Sequence, residues 1–202
     1  MSKVIFDYLK TAREPISSTT YGDSYRCSVY LVDGTYLPCV MLQKSEPIAR
    51  LALQRFEQEK KGKGIFGSNK SSDAYEKIVK HFVTSGNRLN NYDIAKVETS
   101  KFAIPLSLLS KIEGETTMGW TGFVLEMRDG KSLSFGTSFG MEFFNIPENY
   151  NFDDVVAVHN HSFVSSTGEI KPLREGMSSQ PVEYDRAMVN RERPYFVCFY
   201  DA

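Results

Sequence analysis

The stretch Gly122–Gly136, GFVLEMRDGKSLSFG, decides the fold prediction because two segments with alternating apolar residues flank Asp129-Gly130. Such alternation is typical of strands, and an Asp-Gly pair between two strands is a strong hairpin signal. A two-residue loop places the apolar residues of the two strands on opposite faces. A three-residue loop with left-handed glycine instead pairs Leu125 with Leu133 and collects them on one face. We therefore predict the three-residue loop.

A second hairpin follows the same plan. Residues Tyr25–Leu42 again form a strand, turn and strand pattern, centred on Asp33-Gly34. The same loop geometry pairs Val29 with Leu37 across the strands. The two segments give weak support for an internal repeat.

The cysteines indicate a reducing compartment. The chain has three of them, an odd number without the close spacing of a disulfide framework. The hairpin register predicts that Cys27 lies opposite Cys39 as a pair of reduced thiols. Cys198 belongs to an apolar C-terminal strand, Tyr195–Tyr200, and is predicted to be part of the core rather than a nucleophile.

Helical periodicity predicts two to three amphipathic helices beyond a short one over residues 3–12. One begins at Ser45 with Pro47 in its first turn, a second runs from about residue 72 to Gly86, and a short third follows Pro105. Strands and helices do not alternate regularly, which indicates the α+β class. We predict a single α+β domain, 1–202, with a helical insertion at about 45–86 between the two hairpin regions.

Composition limits the classes of function. The 202 residues are 41% hydrophobic and 24% charged, with a formal net charge of -1. A protein that binds many phosphates usually has a basic excess, which this chain lacks. Charged residues interrupt the apolar residues at the N-terminus, whereas a signal peptide has an uninterrupted apolar stretch. No apolar run has the length of a membrane span. We expect a cytoplasmic protein without a membrane partner.

The segment Val155–His161, VVAVHNH, contains the residues most suggestive of chemistry. Alternate residues of a strand share a face, so His159 and His161 are predicted to point the same way and to bind a metal or exchange protons. The alternative, which we favour, is that the pair only stabilises the strand end, because no third ligand follows at a diagnostic spacing. The candidates for a third ligand by chemistry alone are Glu126, Asp153, Asp154, Glu169, Glu183, Asp185 and His81.

The four residues Val158-His159-Asn160-His161 resemble the zinc-binding His-x-His segment of JAB/JAMM metalloproteases. That family usually has proline after the second histidine, where this chain has Ser162. The resemblance implies a Ser-x-x-Asp about seven residues later, and this chain has glutamate and proline there. The family's activity is therefore not carried over to this chain.

A basic, glycine-rich segment separates the first two predicted helices. Gly62–Gly67 matches G-x-G-x-x-G, but it follows a helix, whereas a dinucleotide-binding loop follows a strand. We predict a mobile, solvated loop, among the most mobile segments of the chain. Its candidate partner contacts are Lys61, Lys63, Phe66 and Lys70.

Three functions remain open from the sequence. The first is a non-catalytic protein that binds another macromolecule, either a protein partner or further copies of itself, without a cofactor. The second is a divalent-metal hydrolase with zinc at His159 and His161. The third, with the weakest support, is a nucleic-acid binder that uses the Lys60–Lys70 loop.

Overall fold

The computed structural model describes residues 2–12, 14–18, 22–47, 49–50, 53–54, 87–174 and 188–201. Tertiary contacts divide the chain into two compact units. The first unit is Met1–Glu98 with Tyr195–Ala202, and the second is Thr99–Pro194. Helices occur together with strands in parallel and antiparallel pairings, which confirms the α+β class. The single domain over 1–202 stays a prediction.

The described part of the first unit combines helical segments with a mixed sheet. Its N-terminal helix and its strands are α1 (Lys3–Thr11), β1 (Ile16–Ser18), β2 (Gly22–Leu31), β3 (Tyr36–Lys44), β4 (Arg88–Leu89), β5 (Ile94–Thr99) and β12 (Phe196–Tyr200). The strand order is β1-β2-β3-β12-β4, and β5 also pairs with β2. The C-terminal strand β12 therefore lies parallel to and between β3 and β4.

The core of the first unit lies on one face of this sheet. Helix α1 begins after Ser2, whose hydroxyl accepts a hydrogen bond from the Ile5 amide, as expected of an N-cap serine. Ile5 is fully buried, and its burial removes apolar surface from water. The other buried members of this cluster are Cys27, Val29, Val40, Leu42, Ile94, Cys198 and Tyr200.

The first hairpin has the expected register only near its turn. Val29 lies opposite Leu37, as the three-residue loop requires. Farther from the turn, Cys27 lies opposite Val40. The prediction that Cys27 faces Cys39 is therefore wrong.

A β-bulge explains this difference. The register shifts between Cys27 and Val29, so that two residues of β3, Pro38 and Cys39, stand against Ser28 of β2. Proline has no amide hydrogen for the ladder and occurs in sheets mainly at edges and bulges. One inserted residue changes every pairing beyond it, which moves Cys39 out of register.

The thiols provide a prediction about the first unit. Cys27, Cys39 and Cys198 are buried and form no disulfide with one another. Burial raises the pKa of Cys27, and it raises the pKa of Cys198 to about 12. We expect a thiol reagent at pH 8 to react slowly with native protein and rapidly with all three thiols after denaturation without reductant. Recovery of only one thiol from denatured protein would contradict the prediction.

The second unit contains a four-stranded sheet and a separate hairpin. Its elements are α2 (Leu106–Leu109), β6 (Thr121–Met127), β7 (Ser132–Thr137), β8 (Val155–Asn160), β9 (Ser162–Val164), β10 (Ile170–Pro172) and β11 (Asn190–Arg191). The sheet order is β11-β7-β6-β8, and β9 pairs with β10. Across β6 and β7, Leu125 lies opposite Leu133 and Phe123 opposite Phe135, the pairs that a three-residue loop requires. Gly130 has the left-handed backbone, with φ 84°.

Apolar side chains cover both faces of this sheet. On one face, the rings of Phe123 and Phe135 are stacked with their centroids 5.5 Å apart, and Phe144 meets both edge-on. On the other face, buried Trp120 lies against Gly122 and Gly136, where a Cβ atom would meet its indole ring. The sheet is therefore packed from both sides.

The strand and helices predicted from the sequence can be compared with the structure. The strand predicted over Val155–His161 ends one residue earlier, at Asn160. The first predicted helix is present at residues 45–47, 49–50 and 53–54, and the third is α2. The second, near residue 72, lies outside the described residues.

Candidate functional site

His159 projects from β8 next to a carboxylate on the neighbouring strand. It lies opposite Val124 of β6, and Ala157 lies opposite Glu126, so His159 and Glu126 are diagonal neighbours. Their Nε2 and Oε2 atoms are 3.2 Å apart. Both side chains are partly exposed, so water weakens the interaction. The Glu126 carboxylate accepts a hydrogen bond from the imidazole.

His161 lies just beyond the strand and has a different partner. Its φ of 53° is left-handed, a backbone that is uncommon for residues other than glycine. Its Nε2 atom lies 2.9 Å from the Glu113 carbonyl oxygen, to which an Nε2–H can donate. Because the strand has ended, the alternation of side chains no longer fixes the direction of His161 relative to His159.

Asn160 joins the end of β8 to the segment that follows α2. Its amide nitrogen donates to the Lys111 carbonyl oxygen at 2.9 Å, and its amide oxygen accepts from the Glu113 backbone nitrogen at 2.9 Å. One side chain thus satisfies two backbone groups that have no strand partner. We call His159, Asn160 and His161 the His-Asn-His clasp, since each contacts a segment distant in sequence.

Among the described residues, the remaining candidate ligands do not join the two histidines. Within the described ranges, no group of three or more histidine, cysteine, aspartate and glutamate residues is arranged to hold a metal ion. Asp154 instead forms an ion pair with Arg128 at 3.1 Å. The amide of Asp153 donates to a neighbouring asparagine side chain, and Glu169 lies 3.8 Å from the Lys171 ammonium. The candidates outside the described residues are His81, Glu183 and Asp185. Zinc binding stays a prediction.

The contacts of the clasp predict that Asn160 contributes more to the free energy of unfolding than His159. Replacing Asn160 with alanine removes two hydrogen bonds and is expected to lower the free energy of unfolding by about 1–2 kcal/mol. His159→Ala removes only a partly exposed pair and is expected to cost about 1 kcal/mol or less. Chemical denaturation of both variants measures these differences. A larger loss for His159→Ala than for Asn160→Ala would contradict the structural role of Asn160.

The basic loop, Lys60–Lys70, lies outside the described residues, as do its candidate contacts Lys61, Lys63, Phe66 and Lys70. Their role in binding stays a prediction.

Sequence analysis missed an exposed aromatic surface at the first hairpin. Tyr30 and Tyr36 lie directly opposite each other, with ring centroids 4.8 Å apart and the ring planes at 40°. A short 3₁₀ helix, Asn91–Asp93, is joined to the same turn because the Val32 amide donates to the Asp93 carbonyl at 2.9 Å. The signal in the sequence is a tyrosine three residues before and after Asp33.

Four large side chains of this region are open to solvent. The exposed fractions are 36% for Tyr30, 69% for Val32, 44% for Tyr36 and 76% for Tyr92. We call these four residues the tyrosine tip. Side chains this exposed contribute little to the core, whereas aromatic residues are enriched at binding interfaces.

Charged side chains accompany the tyrosine tip. The Lys96 ammonium lies 5.6 Å from the centre of the Tyr30 ring and forms an ion pair with Glu98 at 2.5 Å. Asp33 accepts a hydrogen bond from the Thr35 amide, and this contact lowers the pKa of the Asp33 carboxyl. Asp33 is therefore ionised at neutral pH.

Comparisons with protein-family models, with curated proteins and with solved structures found no match for this chain. Among the helices in the described part, none has the length and apolar character to cross a membrane.

Proposed function

We propose that this protein is a non-catalytic macromolecule-binding protein and that the tyrosine tip is its binding surface for a protein partner. The observation that carries the proposal is the pair of facing rings at Tyr30 and Tyr36, which are partly exposed. The turn between them is hydrogen-bonded through the Val32 amide to Asp93, the residue that follows Tyr92. Tyrosine offers a large, rigid contact area together with a hydroxyl group, and it is enriched among the residues that dominate binding energy.

The backbone supports these rings in a fixed place. Tyr30 and Tyr36 are a directly opposed pair on an antiparallel ladder, where neighbouring side chains stabilise each other. The Val32 amide is held by the Asp93 carbonyl, so the 3₁₀ helix that carries Tyr92 is tied to the turn. A surface held in this way loses less conformational entropy when a partner binds.

The contacts of the His-Asn-His clasp fit a role in stabilising the end of β8. His159 contacts a carboxylate, whereas Asn160 and His161 contact backbone atoms of residues 111–113. Contacts of this kind can stabilise a strand end, which is the role favoured from the sequence. We therefore assign no reaction to the clasp.

Metal content tests the competing zinc hydrolase. If the clasp is structural, purified protein is expected to contain far less than one equivalent of zinc, and a chelator is expected to leave the melting temperature unchanged. Elemental analysis and thermal denaturation measure both. Near-stoichiometric zinc that is lost in the His159→Ala/His161→Ala double variant would support the hydrolase and count against the proposal.

Comparative affinity capture tests the binding surface. Immobilised wild-type protein, a Tyr36→Thr/Tyr92→Ser variant and a Phe139→Ser control are each exposed to extract of the native cells, and the bound proteins are quantified. Phe139 is 88% exposed in the second unit, so its replacement matches the loss of a surface aromatic group. We expect at least one protein to be retained by the wild type and the control but lost by the tyrosine variant. Identical retention by all three proteins would contradict the proposal.

A further inference from the structure

Two cationic side chains of the second unit lie against one aromatic ring. The central carbon of the Arg193 guanidinium is 4.0 Å from the centre of the Phe102 ring, and the Lys101 ammonium is 5.0 Å from the same centre. The attraction between a cation and the face of a ring keeps each charge close to that ring. Two positive charges are therefore gathered at one place in this unit.

The backbone holds this place through three segments that are distant in sequence. The Phe102 carbonyl oxygen accepts a hydrogen bond from the Phe144 amide at 2.9 Å, and the Arg193 amide donates to the Phe143 carbonyl oxygen at 2.8 Å. The Arg193 side chain is held as well, because its Nη1 atom donates to Oδ1 of Asn145 at 2.9 Å. A group that is positioned in this way loses less conformational entropy when a ligand binds.

The polar groups that remain at this place are hydrogen-bond donors. Oδ1 is the only acceptor in the Asn145 side chain, and it already accepts from Arg193, which leaves the exposed amide NH2 group as a donor. Among the described residues the guanidinium makes no other hydrogen bond, and its Nε–H is buried without an acceptor. The exposed Lys101 ammonium is also a donor only. Donors without acceptors favour an anionic ligand.

Nearby carboxylates do not neutralise the two cations. Glu192 is next to Arg193 in sequence but forms its ion pair with Arg191, at 2.9 Å. Glu142 lies against Gly140, where an added Cβ atom would meet its carboxylate. Within the described ranges, no carboxylate forms an ion pair with Lys101 or Arg193, whereas Arg128 of the same unit is paired with a carboxylate.

A phosphate monoester matches this set of groups. At neutral pH it carries a charge of about −1.5 to −2 and has three strong acceptor oxygens, which suits two cations and one amide donor. A carboxylate has a single charge and two oxygens. A nucleic-acid backbone is usually bound through more phosphate contacts than two cations provide.

We propose that Lys101, Asn145 and Arg193 form a binding site for a phosphate monoester on the second unit. The two cations supply the charge, the Asn145 amide supplies a further donor, and the Phe102 ring keeps the cations together. The phosphate belongs either to a small molecule or to a phosphorylated side chain of a protein. The site goes beyond the proposed function, because the tyrosine tip belongs to the first unit.

Titration calorimetry of the full chain tests this site with two probes, inorganic phosphate and the phosphoserine peptide Ac-GGpSGG-NH2. We expect saturable binding that weakens about 10-fold or more for Arg193→Gln, which removes charge-assisted hydrogen bonds. For Lys101→Gln, which removes an exposed charge, we expect a loss of about 3-fold or more. The control Arg128→Gln is expected to bind within about 2-fold of the wild type, because Arg128 is already paired with Asp154. Circular dichroism checks that each variant is folded, and the exposed position of Lys101 keeps the test valid if Arg193→Gln does not fold.

The two probes also separate the sources of the phosphate. Tighter binding of the phosphoserine peptide identifies a phosphorylated protein side chain, whereas equal or tighter binding of inorganic phosphate identifies a small phosphate. Absence of saturable binding of both probes would overturn the proposal, as would equal affinity for the glutamate peptide Ac-GGEGG-NH2. Unchanged dissociation constants in the folded Lys101→Gln and Arg193→Gln variants, or preferred binding of a thymidine oligonucleotide, would also overturn it.

Discussion

Replacing Phe123 with alanine is expected to lower the free energy of unfolding by about 3–5 kcal/mol, the typical cost of removing a fully buried phenylalanine side chain. Phe123 has no exposed surface and contacts the rings of Phe135 and Phe144 at centroid distances of 5.5 and 5.6 Å. Its loss removes apolar contact area and leaves a cavity among rings that cannot collapse into it without leaving their own positions.

The matched control for this substitution is Phe139→Ala. Phe139 is the same residue type in the same unit but is 88% exposed, so its replacement is expected to change stability by about 0.5 kcal/mol or less. Urea denaturation followed by near-ultraviolet circular dichroism measures both variants. Equal losses at the two positions would show that Phe123 is not in the core of the second unit.

Gly136→Ala, which adds one methyl group on the opposite face of the same sheet, is expected to lower the free energy of unfolding. A Cβ atom there would lie 2.2 Å from Cζ2 of Trp120, which is 2% exposed and has the Arg191 guanidinium 4.8 Å from its ring centre. The indole has little room to move, so Gly136→Ala is expected to cost about 1–3 kcal/mol, the usual cost of overpacking a core.

Two companion variants test this cause. A Cβ atom at Gly122 would be 3.0 Å from Nε1 of Trp120, so Gly122→Ala is expected to cost less than Gly136→Ala. Adding Gly136→Ala to a Trp120→Leu protein is expected to cost less than adding it to the wild type, because the smaller side chain leaves space. Both comparisons come from denaturation in urea as a double-mutant cycle. Additive effects of Gly136→Ala and Trp120→Leu would contradict a clash between these residues.

The sequence predicts the second hairpin because its information is local. The three-residue loop at Asp129-Gly130 needs one residue with a left-handed backbone, which glycine supplies. The apolar alternation on each side selects the register that places Leu125 opposite Leu133. Glycine and side-chain periodicity determine both features within fifteen residues, so no distant contact is required.

The first hairpin shows where local information ends. Its turn has the same pattern, but Pro38 lies in the returning strand and a bulge displaces Cys39 from Cys27. The missing amide hydrogen of a proline within a strand is a sign of a bulge that can be seen in the sequence. Hydrophobic alternation alone does not distinguish a regular ladder from a bulged one.

The candidate sites depend on contacts distant in sequence. Asn160 contacts backbone atoms 47 and 49 residues away, and the local sequence of the clasp does not predict these partners. The two tyrosines around Asp33 are visible in the sequence. Their exposure, and the hydrogen bond that joins the 3₁₀ helix of Tyr92 to this turn, become apparent only in the folded structure. Sequence patterns therefore identify the residue types better than their roles.

The dissociation constant of the captured protein partner tests the central claim most directly. The partner is purified and titrated against the wild type, Tyr36→Thr and Phe139→Ser by isothermal calorimetry. If the tyrosine tip is the binding surface, Tyr36→Thr is expected to raise the dissociation constant about 10-fold or more, and Phe139→Ser to change it about 2-fold or less. Equal dissociation constants for the wild type and Tyr36→Thr, or a larger effect at Phe139, would contradict the proposed function.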